Sequence, residues 1–375
     1  MANPRATAGT RGDDVLILIG LREWRRRVPD RNDGPSASVV RPAPRGPTEP
    51  GPAQPPADEW FSTDDAVLTA LLIHLLPITL RTPPERWPAE ALKASRDLHQ
   101  YFVRELTPFT SRIPRRLPEL RGRDSRELGI ELFGAYLLEK MEVLACAMGR
   151  YDPVNLRVEG ESHLREALDK GNGAVLWCEN SFSSSLLQKA AIAAAGYRVH
   201  HLSRHGHNLS STRLGMRFLN PIVRKAENRY LAEVFLVDGH NQMAVSRHIL
   251  ELLRANQVVS VTVINAGSQT VEAPLLDGVL SVATGAPHFA ARGRAPLLPV
   301  LSYRDGNDFV AEIGAPIELQ AMNREAAYEF AVQELARRID AFVRLHPIDW
   351  CGWLRGSYIE APAAAARVQG ERARP

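Results

Sequence analysis

The stretch that most constrains this chain runs from Gly171 to Arg204, GNGAVLWCENSFSSSLLQKAAIAAAGYRVHHLSR. Within it, Ala174 to Cys178 is an unbroken apolar run bounded by Gly173 and by Glu179-Asn180, the pattern of a strand buried on both faces of a sheet. The serines at 183, 184 and 185 can accept hydrogen bonds from the free N–H groups of a first helical turn, and Gly196 suits the last one, so the spacing predicts a helix between them. Tyr197 to Leu202 reads as a second strand. A strand, helix and strand in such close succession make the two strands parallel with a right-handed crossover. Sheets of this kind hold ligands beyond the carboxyl ends of their strands, which makes the turn from Glu179 to Ser185 the expected functional region.

The flanking sequence extends the same alternation. Before the central unit, apolar residues recur at helical spacing in Asp64–Leu76 and Ser125–Met148, and a shorter helix is expected over Ser162–Lys170. After it, Ser210–Phe218 and Met243–Asn256 read as helices and Val258–Ile264, the most β-branched run, as a strand. Thr270–Leu276, Pro296–Tyr303 and Phe309–Ile313 add strands, and Arg324–His346 is a long helix stopped by Pro347. The expected fold is α/β: a mixed, largely parallel sheet flanked by helices, with a helical N-terminal lead-in.

This domain is expected over residues 61–357. Residues 1–60 form an extension whose segment Arg41–Asp58, RPAPRGPTEPGPAQPPAD, is too rich in proline and too poor in large apolar residues to pack; residues 358–375 read as a tail. Val15–Ile19 and the basic cluster after it are too short to span a membrane, and serve either as a disordered arm or as a surface anchor. Ala66–Leu80, interrupted by Pro77, is suited either to a membrane interface or to a buried helix. A net charge of +3 from 46 basic and 43 acidic residues, with no basic stripe interleaved with aromatics, argues against nucleic acid. Cys146, Cys178 and Cys351 are odd in number and far apart, which points to a reducing compartment and away from a disulfide framework.

The order of these elements resembles the lysophospholipid acyltransferase superfamily, and within it the bacterial lipid A (lauroyl/myristoyl) acyltransferase branch, over about residues 65 to 355. The resemblance is carried by Val158–Leu168 ahead of the Gly171/Gly173 pair, by Glu272-Ala273-Pro274-Leu275-Leu276-Asp277-Gly278, by Ala283-Thr284-Gly285-Ala286-Pro287, by Gly293–Val300, and by His346–Arg355. It implies transfer of a fatty acyl group from a carrier thioester, on acyl carrier protein or coenzyme A, to a lipid or small-molecule acceptor, with no further cofactor. It also implies a peripheral, cytoplasmic place at the inner face of the cell membrane.

The family's signature, a histidine followed five positions later by a carboxylate, is replaced: Asn180 stands at the histidine position and Ser185 at the carboxylate position. In the family the imidazole takes the acceptor hydroxyl's proton while the carboxylate orients it, a role that an amide cannot fill. Asn180 and Ser185 are either pocket-lining hydrogen-bonding groups or ordinary turn and cap residues. Glu179 is a replacement base if half buried, and otherwise a loop carboxylate. Cys178 is either a thiol nucleophile or a buried strand end. His200, His201, His205 and His207 form the densest histidine cluster, from which His201 and His205 are candidates to supply the base; with no Asp or Glu beside them, a metal site is disfavoured. Arg204 and Arg224 match substrate-contacting arginines, suited to holding phosphate or polarising a thioester carbonyl, and Asn265 replaces a third family carboxylate. Two functions follow from the resemblance, a divergent acyltransferase or an inactive relative that binds lipid or a protein partner.

Overall fold

The computed structural model describes residues 59–110, 113–204, 209–237, 240–264, 267, 269–319, 323–354 and 358–360. The N-terminal extension through residue 58, and with it the short apolar and basic arm, lies outside the described residues, as do positions 361–375.

A seven-stranded sheet organises the rest, in the order β1-β9-β8-β2-β5-β3-β4. Its strands are β1 (Leu156–Glu159), β2 (Ala174–Cys178), β3 (Val199–Arg204), β4 (Glu233–Val237), β5 (Val258–Thr262), β8 (Leu297–Asp305) and β9 (Asp308–Ile313). All neighbours are parallel except the β8–β9 hairpin. β6 (Thr270–Leu275) and β7 (Gly278–Ala283) form a second sheet with β10 (Tyr358–Glu360), so the residues expected to open the tail are paired instead. The α/β class expected from sequence is the one observed.

β2 and β3 are parallel, yet they are not neighbours. β5 lies between them, pairing Val258 with both Ala174 and Val199. Val258, Val259 and Val261 are all buried, so the most β-branched run of the chain takes the place with least water on either face. The insertion moves the histidine-bearing strand one position away from the turn after β2.

The helices are α1 (Thr63–Arg81), α2 (Trp87–Thr110), α3 (Ile113–Arg116), α4 (Ser125–Ala147), α5 (Glu161–Asp169), α6 (Leu187–Ala194), α7 (Asn220–Glu227), α8 (Gln242–Arg254), α9 (Gly285–Gly293) and α10 (Arg324–Leu345). One sheet face packs Trp177, Val259 and Val261 against α8, α9, α10 and the small sheet; the other packs Leu176, Cys178 and Val300 near α5 and α6. α1 starts from a capping box in which Ser62 and Asp65 bond reciprocally, and it continues through Pro77 instead of breaking there. Proline forfeits the N–H that would reach the Ile73 carbonyl, and Ile73 sits on the outer surface where water can take the vacant bond.

α4 was expected to show one apolar face, and it is instead buried almost all round. Phe133, Leu137 and Met141 pack against α1 and α2, while Val143, Cys146 and Ala147 pack against α6, α7 and β9. It joins the helical lead-in to the sheet, and it carries charged residues into that joint.

Candidate functional site

β2 ends at Cys178, and every residue from Glu179 to Ser184 is at most 9% exposed. The expected helix start is displaced: the first helical residue is Leu187, and no serine caps α6. The serines are engaged elsewhere. Ser184 donates its hydroxyl to the Ser181 carbonyl at 2.8 Å, Ser181 and Ser302 share a hydroxyl hydrogen bond at 2.8 Å, and Gln188 donates to Ser302 at 3.2 Å. Ser185 donates to Oε1 of Glu139 at 2.6 Å.

The turn is closed over by the segment after α10. Ser181 bridges Trp350 in antiparallel fashion, the Phe182 N–H donates to the Asp349 carbonyl at 3.0 Å, and the Cys351 N–H and thiol donate to the Asn180 carbonyl at 3.3 and 3.1 Å. The Trp350 and Trp353 rings pack edge to face above it, with centroids 4.9 Å apart.

The side chains expected to act at this turn are mostly held apart. The Asn180 amide donates to the Val263 carbonyl at 2.6 Å, tying β2 to the end of β5. Glu179 is almost wholly buried, not half buried as a base in contact with solvent would be, and its N–H donates to the Val300 carbonyl. The Cys178 thiol is pushed up to about 12, chiefly by burial, which removes the thiolate a nucleophile needs. His201 is buried in the middle of β3, registered with Ser260, and its Nδ1 shares a hydrogen bond with that hydroxyl at 2.8 Å. Because Ser260 is in turn registered with Leu176, His201 lies below the strand end and not beside the turn. His200 faces Glu233 at 3.5 Å. Arg204 ends β3, opposite Val237. Arg224 is on α7 and donates to the Met216 carbonyl at 3.5 Å. His205, His207 and Asn265 lie outside the described residues.

A polar cluster adjoining the turn comes from residues not singled out in the sequence. α4 contributes Glu139, Lys140 and Glu142, all buried. Lys140 donates to Glu139 at 2.9 Å, on the carboxylate that also accepts from Ser185. Arg304 of β8 donates to Glu142 at 2.5 Å. Burial pushes the Glu142 carboxyl above its ordinary range, against the pull of Arg304. Asp349, in the covering segment, is raised to about 6 by burial, with Arg304 again opposing. Tyr151 is raised by burial and by the nearby Glu142. The sequence signal was present in Glu139-Lys140-Met141-Glu142, three charges within the otherwise apolar stretch from Leu132 to Ala147. Chemically the cluster offers a serine hydroxyl on a lysine-paired carboxylate in a place screened from water.

Comparison with known proteins adds little to this geometry. No protein-family model matches the chain, and no curated protein matches it. Among solved structures it is similar to the 1-acyl-sn-glycerophosphate acyltransferase PlsC of Thermotoga maritima, at 14% identity and a TM-score of 0.32, over 68% of this chain and 97% of that one.

Proposed function

We propose that this chain is an acyltransferase-like protein whose role is binding: it holds an acyl lipid or a protein partner at a membrane surface and does not transfer acyl groups from the turn after β2. The observation that carries this is the occupation of that turn. Asn180 and Ser185, at the positions the resemblance assigns to base and orienter, are committed to Val263 and Glu139, and Asp349–Trp353 lies across Asn180–Phe182. Acyl transfer requires a base that takes the acceptor hydroxyl's proton as the oxygen attacks the thioester carbonyl and the thiolate leaves. An amide donating to a carbonyl is not such a base.

A second reading, a divergent transferase with the same donors and acceptors, is favoured by one contact. The carboxylate missing at position 185 is supplied in space by Glu139, 2.6 Å from the Ser185 hydroxyl. The test is to offer the purified chain acyl carrier protein and coenzyme A thioesters with lysolipid and small-alcohol acceptors, and separately a fluorescent acyl lipid. The binding reading expects saturable lipid binding without turnover. Turnover that falls about a hundredfold or more in Glu139→Gln, or in alanine variants of Glu179, His201 or His205, establishes the transferase reading instead.

Membrane contact is supported by α1, a helix long and apolar enough to cross a membrane. Its buried face carries Leu68, Leu71, Leu72 and Leu75, while its exposed face is mostly apolar as well, with Ala66, Ala70, Ile73, Pro77 and Leu80 around a single His74. Trp60 and Phe61 are exposed at its start, where the Trp60 carbonyl accepts from the Leu214 N–H, close in sequence to the exposed Phe218 and Arg217. Aromatic rings edged by arginine suit the interface of an anionic membrane, with α1 lying in the surface plane.

A further inference from the structure

On the side of the molecule covered by α8 and α9, away from the polar cluster, lies a groove of about 410 Å³ lined by Met243, Arg247, Leu250 and Arg254 of α8 and by His288 and Arg292 of α9, with Gln242 and Ser246. The α8 residues recur at intervals of four, three and four, so they form one stripe on that helix, and His288 and Arg292 form the matching pair on α9. Arg247, Arg254 and Arg292 are exposed and make no hydrogen bond or ion pair with any other described residue. This sets them apart from Arg157, Arg165, Arg304, Arg337, Arg338 and Arg344, each of which has an acidic partner. The groove lining contains no Asp or Glu.

We propose that this groove is a binding site for a phosphate monoester carried on a short apolar chain. Three uncompensated guanidinium groups around a concavity concentrate positive potential there, and each offers the fixed pair of donors that matches phosphate oxygens. The ring of His288 is held in place at the groove by the Tyr328 hydroxyl at 2.9 Å. Burial, with the charges of Arg292 and Arg324, keeps it below its ordinary value, so the positive charge of the groove resides on the arginines. Leu250, partly buried, supplies the apolar floor for the chain attached to the phosphate, and Met243, 81% exposed, an apolar rim. An exposed methionine is flexible enough to fit chains of different shape. The site is independent of the function proposed above, since no residue of the turn after β2 lines it.

The experiment is titration calorimetry of the full chain with hexyl phosphate, inorganic phosphate and hexanol. Hexyl phosphate is expected to bind saturably and more tightly than inorganic phosphate, hexanol not at all, and Arg247→Gln and Arg292→Gln each to weaken hexyl phosphate about tenfold. These are exposed side chains, and unchanged melting temperatures verify that the variants fold. Equal affinity in the variants, no saturable binding, or inorganic phosphate binding as tightly as the hexyl ester overturns the assignment. A lipid headgroup and a soluble ester share this chemistry, and a second arm separates them. Vesicles bearing a phosphate-monoester lipid that retain the natural protein better than Arg247→Gln identify the membrane as the source; retention of both alike identifies a soluble ester.

Discussion

Glu142 keeps only 4% of its side-chain surface in contact with water, and the cation that compensates it, Arg304, comes from 162 residues further along the chain. Removing one partner of such a pair leaves an uncompensated buried charge, whereas removing both does not. Arg304→Met is therefore expected to lower unfolding free energy by roughly 3–5 kcal/mol, and Arg304→Met with Glu142→Leu by much less, as measured by urea unfolding. Asp349 permits a pH test of the same region. Its folded value of about 6 lies above the ordinary 3.8, so the folded state holds its proton more tightly than the unfolded chain. The stability this contributes is fully present below the unfolded value and is lost as pH rises through about 6. Asp349→Asn should flatten the stability profile between those limits and leave the variant more stable above them, by an amount on the order of 3 kcal/mol. A profile unchanged by the substitution would exclude this account. The Glu142–Arg304 pairing could not be read from the sequence, because nothing in the buried second half of α4 shows which of its charges meets a strand 162 residues further on.

At the scale of elements the sequence was more informative. β2 and β5 announced themselves by apolar, β-branched runs, and α10 by its periodicity and the proline after it. The start of α6 did not: three serines signal a cap, but a serine hydroxyl caps only where tertiary partners leave it free, and here Glu139 and the Ser181 carbonyl claim two of them. β4 was missed outright, since Glu233–Val237 is too short and partly exposed to stand out, while the helix expected over Ser210–Phe218 runs on through a π turn at Gly215–Leu219 into α7. Two glycines entering β2 separate backbone shape from space. Gly171 and Gly173 both have positive φ, but a Cβ on Gly171 meets nothing within 4 Å, while one on Gly173 falls 2.3 Å from the Gln257 carbonyl oxygen. Gly171→Ala should cost about 1–2 kcal/mol from the left-handed conformation alone. Gly173→Ala should cost roughly 1–3 kcal/mol more, because β2 must shift away from the residue that leads into β5, and parallel thermal melts would show the gap. On α1 the outer face gives a different kind of test. Ile73→Glu and Leu80→Glu should leave the melting temperature unchanged while each lowers co-sedimentation with anionic vesicles about tenfold or more, from the lost burial of one large aliphatic side chain.

The whole molecule is tied together by contacts that span most of its sequence. Glu59 and Trp60 accept hydrogen bonds from the N–H groups of Arg213 and Leu214, so the first described residues are fastened to the segment ahead of α7. A chain beginning at Asp58 is expected to melt with the full-length protein, because the proline-rich residues before it lack the apolar side chains of a core. A chain beginning at Thr63 should melt several degrees lower, having lost those two bonds and the Ser62 cap of α1. The overall α/β class was legible from alternation alone, but the state of the turn after β2 was not, since nothing local to Glu179–Ser185 shows that Asp349–Trp353 will lie across it. That distance along the chain has a consequence for biosynthesis. Emerging from the ribosome, β2 and its turn precede their cover by about 170 residues, and β10, which fastens the cover to the small sheet, comes later still. During that interval the turn has no lid, and the Asn180 carbonyl and Phe182 N–H lack the partners that Cys351 and Asp349 later bring, so this part of the fold is closed only when the chain is nearly complete.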